Sequence, residues 1–246
     1  MDYMVDKPVI IIQARMNSER LPGKVLKTIG GKPLIGILLT RLLKTGLPIV
    51  VATSVNKEND ILADYVGSLS IQCFRGSEDN VLERYAKASE QYQANPVFRL
   101  TGDNPLMEPN LLLEALDVYY KSADTRTYVS SGISQTYPLG ISCELFSQEL
   151  LLEAYLKATS PAEKEHVTPY MHQNKPGNIR LVPLVGPLNR YHYRLTVDTP
   201  EDFELHKILI EQFHADILSV QEIIQIMDSH PELQNINSSI RQKSIS

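Results

Sequence analysis

The chain predicts an α/β fold built on a mainly parallel central sheet, and three observations carry that reading. Short apolar runs alternate with longer segments whose apolar residues recur at helical spacing, from residue 9 to about residue 121. The first run, Val9–Gln13, is apolar until its last residue, as a strand buried on both faces must be. Two of the runs empty into polar loops, 14–24 and 101–107, at the strand ends where open α/β sheets bind ligands.

The elements follow in order. "PLIGILLTRLLK", 33–44, begins on a proline suited to a first helical turn and continues with apolar residues on one face. A strand over 49–52 and a helix over 58–66 come next, then a strand over 71–74 and a helix over 81–92. The fourth strand is "VFRL", 97–100, and a helix over 110–121 follows its exit loop "TGDNPLMEP". From Thr127 the pattern changes to extended segments, with turns at Gly132 and at 138–140. Helices are expected over 148–158 and around 163–172, and "IRLVPLV" and "YHYRLTV" are strand candidates. Thr199, ahead of Pro200 and two acids, starts a further helix, and Ser219 with Glu222 forms a capping box. No linker interrupts the pattern, so residues 1–235 are expected to form one domain, with 236–246 a frayed polar tail.

Composition narrows the function. The formal net charge of −5 argues against a broad nucleic-acid or anionic-membrane surface. Within residues 13–32, however, Arg15, Arg20, Lys24, Lys27 and Lys32 face one acid, Glu19, a local balance of +4. A cationic loop on an acidic protein is expected to hold a compact anion. The two cysteines, Cys73 and Cys143, lie far apart in strand-like runs without metal-ligand spacing, and are expected to be buried free thiols. The opening residues lack the basic and apolar regions of a signal peptide, and no apolar stretch approaches the length of about 20 residues that spans a bilayer. A soluble, cytoplasmic protein is the expectation.

Three segments carry chemistry. The loop after the first strand fits neither the Walker A pattern nor the dinucleotide fingerprint, because its glycines are wrongly spaced. It offers Gln13, Ala14, Arg15, Ser18, Arg20, Gly23 and Lys24 instead. Arginine forks match phosphate oxygens, lysine adds a mobile point charge, and Gly23 lets the backbone approach a ligand. In "RLTGDNP", Thr101 and Gly102 lead to Asp103, a carboxylate placed to hold a hard cation that bridges phosphates, or to cap its own turn. In "RLTVDTPED", Asp198 precedes the capped helix, where an acid also suits the helix dipole.

Together, "IIQARMNSERLPGKVL", "FRGSEDNVLERY", "RLTGDNPLMEP", "KEHVTPYM" and "TVDTPEDFEL" resemble, in that order, the cytidylyltransferases that activate sugars. The likeness is nearest to the spore-coat polysaccharide biosynthesis F branch, and extends to CMP-sialic acid and CMP-KDO synthetases. It implies a Rossmann-like nucleotidyltransferase fold and a CMP-sugar product, with release of pyrophosphate. It gives Arg15, Arg20 and Lys24 the triphosphate of CTP, and Asp103 and Asp198 a Mg²⁺ ion. Arg75 and Ser77 would contact the nucleotide, and Arg15, Lys24 and Asp103 would act in catalysis. The partner substrate would be a small acidic sugar or sugar phosphate. The resemblance also implies a homodimer, with 127–195 as the acceptor and dimerisation portion.

One segment departs from that pattern. Relatives carry an acidic "YPDGLDVE" where this chain reads "YPLGISCE", 137–144, so acids are missing at Leu139 and Ser142 while Glu144 remains. The acceptor is therefore less defined than the nucleotide. His166, beside Lys164 and Glu165, is expected to pack near the acceptor or dimer region rather than to catalyse. The rivals are a glycosyltransferase on a similar fold, for which no Asp-x-Asp motif is present, and a nucleotide-binding protein whose acceptor site has decayed.

Overall fold

A computed structural model describes residues 6–242. Its strands are β1 (Val9–Gln13), β2 (Thr28–Ile29), β3 (Lys32–Pro33), β4 (Ile49–Ser54), β5 (Gln72–Gly76), β6 (Val97–Thr101), β7 (Thr127–Ser130), β8 (Glu144–Phe146) and β9 (Arg180–Pro183). Seven form one sheet in the order β5-β4-β1-β6-β8-β7-β9, while β2 and β3 make a small ribbon. The pairs β5–β4, β4–β1, β1–β6 and β7–β9 are parallel. β8 runs antiparallel to both neighbours. The sheet is mainly parallel, as expected.

The helices are α1 (Leu34–Leu42), α2 (Asp60–Ser68), α3 (Val81–Tyr92), α4 (Pro109–Ser122), α5 (Gln148–Lys157), α6 (Pro161–His166), α7 (Pro169–His172), α8 (Pro200–Phe213), α9 (Val220–Ser229) and α10 (Pro231–Asn235). β1 shows why the sheet is covered on both faces. Ile10 and Ile12 join the apolar cluster holding residues of α1, α2, α4, α8 and α9. Val9 and Ile11 join the cluster of α3, α5 and α7 on the other side. All four are buried, each worth roughly 1.5–3 kcal/mol over an exposed side chain.

Chain order sets the site. β4 and β5 add on one side of β1, and β6 returns to the other, so the topology reverses at β1. The crevice beyond the carboxyl ends of β1 and β6 is therefore the expected binding place. Buried Arg41 of α1 steadies one wall, donating to the carbonyls of Met107, Ala215 and Asp216 at 3.0–3.1 Å. Gly102 lies so close that a Cβ there would be 2.9 Å from the Ala14 side chain, which pins the two loops together.

Several expectations are corrected. Helix α1 starts after Pro33, which is its N-cap in an extended conformation rather than its first turn. The helix expected around 163–172 is two, broken at Val167 with φ +69°. "YHYRLTV" forms no strand: apart from an isolated bridge between Leu139 and Arg194, its amides bond to loops. Leu195 donates to the Leu139 carbonyl at 2.6 Å and Val197 to the Asp103 carbonyl at 2.8 Å. Within the expected frayed tail, residues 236–239 form a turn from which buried Asn237 hydrogen-bonds inward; residues 243–246 lie outside the described range. Both cysteines are free as expected, but only Cys143 is buried; Cys73 is partly exposed.

Candidate active site

The loop leaving β1 folds on its own backbone. Gly23, at φ +67°, donates its N–H to the Met16 carbonyl at 2.9 Å and turns the chain into a short 3-10 helix that starts at Lys24. That conformation is open to glycine at little steric cost. The turn aims Lys24 inward, where it is only 8% exposed.

The Lys24 Nζ meets three acceptors. It donates to Asp103 Oδ2 at 2.9 Å, Asp198 Oδ1 at 2.8 Å and the Val197 carbonyl at 2.8 Å. Burial alone would draw this ammonium down, but the charges of both aspartates and their hydrogen bonds outweigh it and hold it above its ordinary value. Asp198 gains more partners, with Arg20 Nη2 at 3.0 Å and Arg194 Nη2 at 2.8 Å, both on Oδ2. Its burial would raise the carboxyl, yet Lys24, Arg20 and Arg194 together leave it below the usual carboxylate range. Three sequence-distant segments thus converge on one ammonium.

The other expected residues are placed less uniformly. Arg15 points to the far wall, 3.2 Å from Glu78 and about half exposed. Arg75 spends its fork on its own surroundings, donating to the carbonyls of Ser54 and Asn56 and to Asp60. Ser77 accepts from the Asn80 amide at 3.1 Å, shaping the turn into α3. Thr101 accepts from the Asn104 side chain, and Gly102 donates to the Gln13 carbonyl at 2.8 Å. Ala14 is buried beneath, its N–H on the Ala52 carbonyl. His166 ends α6, half-buried.

A polar row crosses the sheet floor. Tyr85 of α3 receives the Gln13 N–H and donates to the Leu100 carbonyl, and burial pushes its phenol up to about 12, so it stays a donor. Gln13 Oε1 accepts from Arg99, whose other Nη donates to Glu144 at 2.8 Å. Glu144 also accepts from Thr168 at 2.7 Å and from Tyr128. The glutamate kept in the altered "YPLGISCE" segment therefore neutralises a partly buried arginine beneath the crevice.

Sequence reasoning passed over Arg99, Arg194 and Asp202. Arg99 and Arg194 lie inside the quoted "RLTGDNP" and "RLTVDTPED", where both arginines occupy the first position. The repeated Arg-Leu-Thr was a signal that went unread.

Comparison with known proteins places the chain in a family. The cytidylyltransferase family model matches residues 9–234. The spore coat polysaccharide biosynthesis protein SpsF of Bacillus subtilis is 35% identical over 234 residues, 91% of this chain and 95% of that one. A 3-deoxy-manno-octulosonate cytidylyltransferase of Bartonella bacilliformis is 31% identical over 122 residues, 47% of this chain and 49% of its own. The solved structure of a cytidylyltransferase from Leptospira borgpetersenii superposes with a TM-score of 0.86 at 28% identity, covering 97% of this chain and all of that one. With the family pattern matched from β1 to α10 and its cationic loop facing two aspartates across one crevice, the chain belongs to the cytidylyltransferase family.

Proposed function

We propose that this enzyme transfers CMP from CTP to an acidic sugar or a sugar phosphate, releasing pyrophosphate, in the synthesis of a surface polysaccharide. The observation that carries the reading is the meeting of Lys24 with Asp103 and Asp198 at the sheet's reversal point. The names borne by the relatives support the direction: one belongs to spore-coat polysaccharide synthesis and another acts on 3-deoxy-manno-octulosonate.

The residues divide the work. Arg15 and Arg20, at the loop rim, bind phosphate oxygens by exchanging their present carboxylate partners for the substrate. Lys24 leaves the two aspartates and turns to the β- and γ-phosphates. The backbone around Gly23 and Gly102 lets the chain approach closely, and Gln13 and Thr101 line the floor. An oxygen of the acceptor attacks the α-phosphorus, the bond to the bridging oxygen breaks, and pyrophosphate leaves with the electron pair. The acceptor's proton passes to solvent, with no side chain assigned as base. Positioning and charge stabilisation carry the rate.

Asp103 and Asp198 suit Mg²⁺, which is held by one or two carboxylates together with phosphate oxygens and water. Among the described residues no three His, Cys, Asp or Glu side chains form a group able to hold a metal, so the nucleotide's phosphates would complete the donor set. Bound there, the ion would neutralise charge on the triphosphate and on the departing pyrophosphate.

The protein works in the cytoplasm as a homodimer through the 127–195 region. Exposed Ile133, Val185, Leu188 and Tyr191 sit there on two loops tied by Gly186 N–H to Thr136 Oγ1 and Arg190 N–H to the Thr136 carbonyl. Among the described residues no helix is long and apolar enough to cross a membrane. Sedimentation velocity tests the dimer; a monomer at micromolar concentration overturns it.

The deciding experiment is pyrophosphate release from each of four nucleoside triphosphates, with acidic sugars and sugar phosphates, with and without magnesium. CTP-selective, acceptor-dependent release is expected. Binding of CTP without release for any acceptor would favour the decayed, non-catalytic alternative.

A further inference from the structure

Helices α6, α8 and α9 all begin with a capping box, and at α8 it is put to a different use. At α9, Ser219 and Glu222 form a capping box that is exposed. At α8, Thr199 and Asp202 form another, but Asp202 is 0% exposed and carries far more than a cap. Its Oδ2 accepts from the N–H groups of Asp198 and Thr199 at 3.0 and 3.1 Å, and from Arg194 Nη2 at 3.0 Å. Its Oδ1 accepts from Arg194 Nε at 2.8 Å and Asn237 Nδ2 at 2.8 Å. A helix start needs none of the last three bonds.

Arg194 then hands the same Nη2 to Asp198 Oδ2 at 2.8 Å, so Asp202 holds Asp198 both through its backbone and through this guanidinium. Asn237 closes the arrangement from the far end of the chain. Its Nδ2 reaches the Arg194 carbonyl at 3.0 Å as well as Asp202, and Gln242 accepts from Arg194 Nη1 at 2.6 Å. The last described turn of the chain is thereby bound to the segment that carries the crevice's second carboxylate.

We infer that Asn237 is a positioning residue, acting through Arg194 and Asp202 to fix the Asp198 carboxylate that the nucleotide and its divalent ion require. The inference rests on the proposed role of Asp198. Partners behind a metal-binding carboxylate orient it and tune its affinity, and losing one costs roughly 10–100-fold in metal affinity.

The test is Mn²⁺ binding followed by electron paramagnetic resonance with CTP present, on the full chain. Wild type, Asn237→Ala, Gln242→Ala and Ser219→Ala would be compared, with a melting curve for each. In Asn237→Ala the half-saturating Mn²⁺ concentration should rise roughly tenfold. Gln242→Ala should raise it less, and Ser219→Ala should leave it unchanged despite losing a cap of its own. An Asn237→Ala protein that melts lower but binds Mn²⁺ like wild type overturns the inference. If that variant does not fold, Gln242→Ala decides: an unchanged constant overturns it. Wild type failing to bind Mn²⁺ with CTP would instead defeat the proposed function, a separate outcome.

Discussion

The backbone amide of Val197 donates to the carbonyl of Asp103 over 2.8 Å, which locks together two loops far apart in sequence. Neither loop belongs to the other's secondary structure, so this bond and the shared Lys24 ammonium set the spacing of Asp103 and Asp198.

Lys24→Met leaves two adjacent carboxylates without their common cation. Turnover should fall on the order of 10²–10³-fold, the scale of losing one donor to transition-state charge. Divalent-ion binding without nucleotide should tighten, because the ammonium no longer competes. Pyrophosphate release and Mn²⁺ titration read the two effects separately, and weaker ion binding in the variant would refute the competing role.

Asp103→Asn and Asp198→Asn should each lose several kcal/mol of transition-state stabilisation, the scale of metal assistance. Asp198→Asn should also lower the melting temperature more, since Asp198 pairs with Arg20 and Arg194 besides Lys24. A turnover unchanged from wild type would remove that residue from the reaction.

Gly140→Ala tests the altered segment. Gly140 sits at φ +102°, and an added Cβ would come within 2.5 Å of the Leu195 backbone. Both the strained conformation and the contact push the 195–197 stretch away, at a cost of about 1–3 kcal/mol from the backbone alone. Stability and turnover should fall together, as thermal melts and rate assays will show; normal turnover would mean that the stretch moves independently of Asp198.

Acid sensitivity should trace partly to Glu163 at the start of α6. Lys175, at 2.5 Å, holds this carboxyl at about 2 against an ordinary 4.5; burial opposes the shift, and the Ser160 and Thr159 N–H groups assist it. A lowered carboxylate value adds stability that is complete above pH 4.5 and drains as pH falls towards about 2. Glu163→Gln should flatten that part of a stability–pH curve; an unaltered slope would count against the pairing.

What the sequence revealed follows from how locally each feature is encoded. The caps at Thr199 and Ser219 and the continuous apolar run of β1 depend on residues within a turn or a strand, and all are where the pattern placed them. "YHYRLTV" has strand composition but finds no strand beside it, a fact of tertiary neighbours rather than of residues. Arg75 shows the same limit: its charge was legible, but not its commitment to Ser54, Asn56 and Asp60. Asn237, in a tail whose composition reads as frayed, has its hydrogen-bond partners long before it in the chain, where no local pattern points to them.

The ion pairs around the crevice leave little free attraction at its mouth. Arg15 answers Glu78, Lys24 answers Asp103, Arg20 answers Asp198 and Arg194 answers Asp202. An arriving triphosphate meets a surface already balanced, so its capture depends on trading partners at close range and not on a pull felt through solvent. Association should then respond only weakly to ionic strength, unlike a steered encounter.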